Sequence, residues 1–217
     1  MRLLGVFVVF AGCHSGSMAM PDAKIGGDDA PSAGLGIFVA WESNPSLPGP
    51  VSQDLTVSDV TFQLKSFQLL GDAGDAIRSK YLLTWSSLTE PLEESFPDAP
   101  AGVYSKVTLD FGGSIVDYSY QIHGTWKDDF GGGGGRAPRP FKIEDHAPLT
   151  AVLDLSTTLV AAGSAEVAIR LGLADALKGI DFHKVNTDEG VLVLDEDNPD
   201  QLNPFRSRLQ RAFQIDN

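Results

Sequence analysis

Two histidines and one glutamate are the side chains whose types and spacing best match a transition-metal site. Alternating apolar and polar residues predict β-strands over residues 115–126 and 141–146, and the two strands can pair as a hairpin. His123, Glu144 and His146 all fall on the polar face of this hairpin. Two imidazoles and a carboxylate are ligands that suit Zn or Cu(II).

The register of the hairpin decides whether these three side chains meet. We place Trp126 opposite Phe141, because this pairing sets the apolar residues of both strands on the same face. His123 then faces Glu144, and His146 is a diagonal neighbour of His123 at about 7–8 Å between Cα atoms. We favour the simpler interpretation, a solvated polar face without a metal. The sequence therefore predicts no cofactor, with Cu or Zn at this patch as the alternative.

The connection between these two strands is rich in glycine. Residues 131–135 are consecutive glycines inside a predicted hairpin loop over residues 128–140. Five glycines in a row have too much backbone freedom to hold one conformation. A phosphate-binding P-loop would need a following Gly-Lys-Ser or Gly-Lys-Thr, and this sequence continues with Arg136 instead. The pattern predicts a flexible hairpin tip.

An acidic run near the C-terminus offers a second set of cation ligands. Asp195, Asp197 and Asp200 supply the carboxylate oxygens that Ca²⁺ prefers. An EF-hand loop counted from Asp195 needs Gly at the sixth place and Glu at the twelfth, where this sequence has Asp200 and Arg206. We interpret the run as a solvated turn whose acids favour the start of a following helix, with a calcium site as the alternative.

The only cysteine, Cys13, directly follows an apolar run. Residues 3–10 are almost all apolar, Arg2 precedes them, and the small residues Ala11 and Gly12 follow. This is the layout of a secretory signal peptide, with a charged start, an apolar middle and small residues at the cleavage site. The run is too short to span a bilayer, which needs about 20 apolar residues.

The tetrapeptide FAGC at residues 10–13 resembles a bacterial lipobox. The resemblance implies that residues 1–12 are a signal peptide and that diacylglycerol is attached to the thiol of Cys13. Residues 13–33, rich in Gly, Ser, Ala, Asp and Pro, are predicted to be a flexible tether. His14 after the cysteine favours the outer membrane of a Gram-negative bacterium. Without lipid, Cys13 would act as a small apolar residue.

The charge balance fits an exported protein and argues against nucleic-acid binding. The chain has 16 Lys and Arg against 29 Asp and Glu, which gives a net charge of -13 and an isoelectric point near 4.5. Such a balance repels phosphate backbones and argues against docking on anionic lipid. We expect the membrane, through the lipid, and an envelope protein or glycan as partners, and no nucleic acid.

Hydrophobic patterning over residues 34–217 predicts one domain made mainly of β-strands. Strand patterns recur at residues 34–41, 55–70, 80–85, 103–111, 115–126, 141–146, 147–156, 165–173 and 189–196. Between Leu64 and Phe67 the alternation slips by one position, which predicts a β-bulge or a bend. Many short strands with one or two late helices predict an antiparallel β-sandwich.

A C-terminal α-helix over residues 198–213 is predicted to pack on this sandwich. Asn198 is a suitable N-cap, and Pro199 suits the first helical position. Four apolar residues recur along one helical face, namely Leu202, Phe205, Leu209 and Phe213. The stripe predicts that the helix covers an edge or an open end of the sheets.

The run FPDAPAGVYSKVTLDFGG, followed by YSYQIHGTW and PFKIEDHAPL, resembles a set of poorly characterised bacterial β-sandwich lipoproteins. The resemblance covers residues 55–175, and this stretch is also weakly similar to the periplasmic copper-binding proteins associated with methanobactin. The chain lacks a Trp and His ligand set that aligns with that copper family. The resemblance therefore implies a sandwich, with copper binding as an alternative, and no particular activity.

Motifs of common enzymes are missing from the sequence. The chain has no G-x-S-x-G, no H-E-x-x-H and no G-x-G-x-x-G after a predicted strand. We therefore expect an exported, lipid-anchored cell-envelope protein that acts as a non-catalytic binding or structural module. A metal-binding envelope protein that uses the His123 patch is the first alternative, and a hydrolase with an unrecognised site is the second.

Replacement of Cys13 by serine tests the lipid anchor. Cys13→Ser removes the thiol that would carry the lipid, so the protein should leave the membrane fraction or keep its signal peptide. It should also lose labelling by a clickable fatty acid, which cell fractionation and in-gel fluorescence measure. Ser17→Ala in the tether is the control. A Cys13→Ser protein that fractionates and labels like the control contradicts the lipoprotein prediction.

Overall fold

The computed structural model of the protein describes residues 35–91, 93–128 and 137–216. Within these ranges the chain forms thirteen β-strands, two α-helices and one 3-10 helix. The predicted signal peptide, Cys13 and the tether lie outside the described residues, and so does the glycine run of the predicted hairpin loop.

The elements follow one another in this order along the chain. The first strands are β1 (Gly36–Asn44), β2 (Gly49–Pro50), β3 (Leu55–Gly71), β4 (Ala76–Trp85), β5 (Glu94–Phe96), β6 (Gly102–Phe111), β7 (Tyr120–Trp126), β8 (Arg139–Asp145), β9 (Leu149–Leu159) and β10 (Ser164–Gly172). They are followed by α1 (Leu173–Leu177), a 3-10 helix (Phe182–Lys184), β11 (Asn186–Asp188), β12 (Val191–Leu194), α2 (Pro199–Ala212) and β13 (Phe213–Asp216).

The strands form two sheets. The small sheet has the order β13-β10-β1-β5, and the large sheet has the order β11-β12-β8-β7-β3-β6-β9, with β2 and β4 also paired to β3. The prediction of a mainly β fold with a C-terminal helix is confirmed. The prediction of wholly antiparallel sheets is wrong for two pairs, because β1 with β10 and β8 with β12 run parallel. Alternation shows which face of a strand is buried but not the direction of a partner that is distant in the chain.

Strand β3 joins the two parts of the large sheet. Its first half pairs with β7, its second half with β6, and β4 lies along its other edge. The register against β6 shifts between Leu64 and Ser66, which confirms the irregularity predicted from the slip in alternation. A second shift, between Val57 and Asp59 against β7, brings Asp59 opposite His123.

The buried faces of both sheets contribute to one core. The ring of Phe213 in the small sheet lies 5.2 Å from the rings of Phe62 and Phe111 in the large sheet, measured between centroids. The ring of Trp41 lies 5.2 Å from that of Phe67 in the same way. Burial of such rings removes large apolar areas from water, which is the main favourable term in folding.

Helix α2 buries the apolar stripe that the sequence predicted. Leu202, Phe205 and Leu209 have no exposed area, and Asn198 occupies the N-cap position. Phe213, predicted as the last residue of the helix, instead begins β13, because the backbone becomes extended there. This change of conformation allows its ring to join the core beside Phe62 and Phe111 of the large sheet.

A buried carboxylate ties helix α2 to the large sheet. Asp145, the last residue of β8, has 1% of its side chain exposed. The guanidinium of Arg206 on α2 donates to both carboxylate oxygens at 2.6 Å. The hydroxyl of Tyr120 donates to Oδ2 at 2.6 Å, and the backbone N–H of Ala147 donates to Oδ1 at 3.0 Å. These donors satisfy a charge that would be costly to bury alone.

This environment changes the pKa values of its members. Burial alone would raise the pKa of Asp145, but the hydrogen bonds from Arg206, Tyr120 and Ala147 outweigh it and hold that pKa below 3.8. Burial first, and then the hydrogen bond to Asp145, raise the pKa of the Tyr120 hydroxyl. At neutral pH the carboxylate is therefore ionised and the phenol is protonated.

Arg206→Met tests how much this ion pair stabilises the fold. The substitution leaves Asp145 buried without its cation, so the free energy of unfolding should fall by about 3–5 kcal/mol at neutral pH. The pair stabilises the fold above the usual pKa of 3.8, and the effect of the substitution should shrink as the pH falls through the lower folded-state pKa. Urea unfolding at several pH values measures both effects.

The matched control is Arg211→Met, since Arg211 is exposed on the same helix. Its substitution should change the free energy of unfolding by no more than about 0.5 kcal/mol. Equal losses in the two variants, or a loss in Arg206→Met that does not depend on pH, would show that the pair with Asp145 is not what stabilises the helix.

Candidate functional site

A groove of about 730 Å³ lies on the solvent-facing side of the large sheet. Its walls and floor are formed by strands β3, β7, β8, β11 and β12 and by the turns that follow β11 and β12. The charged residues that line it are His123, Lys142, Asp188, Glu189, Asp195 and Asp197. A predicted metal ligand and two predicted calcium ligands therefore line the same concave surface.

Four residues of the groove floor belong to one row of register partners that crosses five strands. In order across the sheet, the row is Asp59, His123, Lys142, Val193 and Asn186. Register partners in neighbouring strands point to the same face of a sheet. On β7, β8 and β12 the residues before and after each member of the row are buried, so the row faces solvent.

Gly124 allows close packing beneath this floor. A Cβ atom at this position would lie 2.1 Å from the backbone oxygen of Thr56 and 2.6 Å from the ring of Phe141. Both distances are far too short for a side chain, so glycine is required where the ring crosses β7. The buried Phe141 ring thereby fixes the strand that carries Lys142 into the groove.

His123 on the floor forms a hydrogen-bonded pair with Asp59, its register partner on β3. Nδ1 of His123 lies 2.6 Å from Oδ1 of Asp59, and the two side chains are 36% and 35% exposed. Ser58 donates its hydroxyl to Oδ2 of the same carboxylate at 2.8 Å. With its proton on Nδ1, a neutral ring keeps Nε2 as a hydrogen-bond acceptor. Such a ring can take a proton from water or from a bound hydroxyl group.

Lys142, a basic residue on the floor, also has an acidic neighbour. Its Nζ lies 3.5 Å from Oε2 of Glu144, and the same oxygen accepts a hydrogen bond from the amide of Gln121. Both side chains of the ion pair are partly exposed, so the pair contributes little to stability. Its effect is to offset the charge of Lys142, the one Lys or Arg among the described residues that line the groove.

The rim of the groove is acidic. Asp188 ends β11 and Glu189 follows it in the turn to β12, whereas Asp195 and Asp197 belong to the connection between β12 and α2. Oδ1 of Asp195 accepts the backbone N–H of Asp197 at 3.1 Å and so orders this turn. Among the described residues, no ion pair neutralises Asp188, Glu189 or Asp197. The groove therefore attracts positive charge.

The predicted register of the β7–β8 hairpin is wrong by two residues. Trp126 pairs with Arg139 instead of Phe141, and Phe141 pairs with Gly124. The predicted faces are nevertheless right, because a shift of two residues leaves every side chain on its own side. Alternation alone does not reveal that the ring of Phe141 needs the space above a glycine.

The three predicted metal ligands are not brought together. His123 is paired with Asp59, whereas His146 is paired with Glu196, whose Oε1 lies 2.9 Å from Nδ1. This hydrogen bond raises the pKa of His146. Glu144 bonds to neither histidine. Within the ranges that the structure describes, no three His, Cys, Asp or Glu side chains are grouped so that they could hold a metal ion. Binding of Cu or Zn at this patch stays a prediction.

The predicted calcium ligands are also divided. Asp195 and Asp197 line the groove, whereas Asp200 lies in the first turn of α2. Oδ1 of Asp195 also lies within hydrogen-bond distance, 3.4 Å, of Nδ2 of Asn198, the N-cap residue of the helix. The geometry matches the interpretation as a turn that leads into a helix, and a calcium site stays a prediction.

Sequence reasoning missed Lys142, which lines the groove, and Asp59, which forms a hydrogen bond with His123. Asp59 lies 64 positions from His123 in the chain, and no local motif marks their contact. A usable signal is the pair of adjacent polar residues, Ser58 and Asp59, which interrupts the alternation of β3. Such an interruption marks a bulge, and bulges redirect side chains near functional sites.

No protein-family model, no curated protein and no solved structure matches this chain. In the described part of the chain, no helix has both the length and the apolar character needed to cross a membrane.

Proposed function

We propose that the protein is exported, anchored by lipid in the outer membrane, and built as a non-catalytic binding module. The signal-like run before Cys13 supports export and anchoring. We also propose that the two sheets are the layers of a β-sandwich. Ring contacts between the sheets, Phe213 with Phe62 and Trp41 with Phe67, support this arrangement. The groove then lies on an outer face, where a partner has access to it.

The charge of the groove supports a particular class of partner. Among the described residues that line it are four carboxylates and one ammonium, that of Lys142, whose charge Glu144 offsets. A partner with several positive charges gains from this field both on approach and when bound. Val191 and Val193 lie in the same groove and suit the aliphatic stems of Lys and Arg. The proposed partner is therefore a basic segment of another envelope protein.

Neutralising part of the rim tests this proposal. Asp188→Asn together with Asp197→Asn removes two exposed carboxylates with almost no change in size. Binding of a lysine-rich peptide to the full chain should weaken about tenfold, and its dependence on salt should become flatter. Fluorescence anisotropy at two salt concentrations measures both changes.

The control pair is Asp98→Asn with Asp154→Asn, which changes the net charge equally at exposed positions outside the groove. This pair should leave the affinity for the peptide almost unchanged. If both pairs weaken binding equally, the peptide responds only to net charge. That result, or no binding by the unmodified chain, would contradict the proposed role of the groove.

A second candidate function, a hydrolase, is favoured by the pair of Asp59 and His123. A carboxylate that holds Nδ1 of an imidazole leaves Nε2 to take a proton from water, which is the role of a general base. Ser58 donates to Asp59 and not to His123, so the geometry supports an activated water rather than a serine nucleophile. The acidic rim would favour an uncharged or cationic ester.

A choline ester separates the two candidates, because its cation suits the acidic groove. We expect no hydrolysis by the full chain above the uncatalysed rate, measured as release of acid at constant pH. His123→Ala and His146→Ala are the matched variants, since only His123 lines the groove. Hydrolysis that is lost in His123→Ala and kept in His146→Ala would replace the binding module by the hydrolase.

A further inference from the structure

The imidazole of His123 has one nitrogen without a hydrogen bond on the floor of the groove. Nδ1 lies 2.6 Å from Oδ1 of Asp59, and an ionised carboxylate only accepts, so Nδ1 of a neutral ring is the donor. Nε2 then has a lone pair and no proton. The side chain of His123 is 36% exposed and lines the groove, and no described residue forms a hydrogen bond with Nε2. A bound molecule can therefore donate a hydrogen bond to it.

The charges on both sides of this ring favour the approach of a cation. Asp59 is the register partner of His123 on β3, and Lys142 is its register partner on β8. The ammonium of Lys142 lies 3.5 Å from Oε2 of Glu144, which offsets its charge. Among the described residues, no Lys or Arg forms an ion pair with Asp59. Together with the four carboxylates that line the groove, Asp59 therefore attracts positive charge towards the ring.

The carboxylates of the groove and the lone pair of Nε2 differ in what they select. Carboxylates attract cations of every kind, because the attraction between charges does not need a donated proton. A lone pair gains only from a group that has an N–H or an O–H to donate. Primary ammonium and guanidinium groups have such donors, whereas a quaternary ammonium group has none. His123 is therefore a group on the floor that can distinguish these two kinds of cation.

The described part of the groove offers little to a quaternary ammonium group beyond its charge. Proteins hold such groups over the exposed faces of Trp, Tyr and Phe. Among the described residues that line the groove, Phe141 alone is of these types, and it is 1% exposed because its ring packs against Gly124. Contact with an exposed face of this ring therefore cannot replace a missing hydrogen bond to Nε2.

We propose that His123 is a specificity-determining residue of the groove. Its Nε2 accepts a hydrogen bond from a primary ammonium or guanidinium group of the bound partner, and quaternary ammonium groups bind more weakly. The inference rests on the proposed function, a groove for a basic segment, and adds the chemistry of the group that reaches the floor. That group is the end of an unmethylated Lys or Arg side chain.

Two lysine-rich peptides of the same sequence and charge test the proposal, one with ordinary lysine and one with trimethyllysine throughout. Fluorescence anisotropy with the full chain is measured at pH 8, where imidazole rings are ordinarily neutral. The ordinary peptide should bind about tenfold more tightly, because only its ammonium groups can donate to Nε2. His123→Leu removes the acceptor, so its two affinities should become nearly equal. His146→Leu, outside the groove, should keep the preference.

A measurement on the unmodified chain covers the case in which His123→Leu does not fold. In ¹⁵N NMR spectra of the full chain labelled at histidine, saturation with the ordinary peptide should shift the Nε2 resonance of His123. Saturation with the trimethylated peptide should leave that resonance almost unchanged, and neither peptide should shift the resonances of His146.

The proposal is overturned if the unmodified chain binds the two peptides equally or if both peptides shift Nε2 of His123 alike. It is also overturned if His123→Leu keeps the preference, because the size of the methyl groups then causes it. Absence of binding by either peptide contradicts the proposed function as well. Equal binding of both peptides contradicts only the role of His123, so the two failures are distinguishable.

Discussion

Burying a carboxylate in a protein interior is costly unless a cation and hydrogen-bond donors surround it, and Asp145 is buried with that complete set around it. Because its cation, Arg206, comes from α2, the helix cannot leave the sheet without exposing or isolating a charge. The helix leads directly into β13, where Phe213 meets Phe62 of the large sheet. One ion pair therefore couples the helix, the large sheet and the last strand of the small sheet.

Strand β8 ends at the buried Asp145 and also forms part of the groove on the opposite face of the large sheet. Three residues before Asp145, the side chain of Lys142 points to solvent, because alternation along β8 sends the two to opposite faces. The parallel pairing of β12 with β8 then brings Asp195 and Asp197 next to the floor. Interior packing and surface charge are thus linked through a single central strand, and the position of the rim depends on how α2 is held.

Polar groups whose hydrogen bonds are all satisfied and polar groups that lack a partner play different roles in this structure. Perturbed pKa values often mark functional sites, yet Asp145 is sealed from solvent with every acceptor used, so its role is structural. The pair of His123 and Asp59 is partly exposed, His123 lines the groove, and no described residue forms a hydrogen bond with its Nε2, so the ring can contact a ligand. The Nε1 donor of Trp41 is buried without an acceptor among the described residues.

The sequence by itself determined the features that depend on neighbouring residues. These are the alternation of buried and exposed positions, the irregularity after Leu64 and the apolar stripe of α2, because local periodicity reflects which face is buried. Only the tertiary structure decided strand direction, register and partner. It placed Phe141 opposite Gly124 and Asp59 opposite His123. Such contacts depend on how segments that are distant in the chain pack together, and no local sequence pattern encodes that packing.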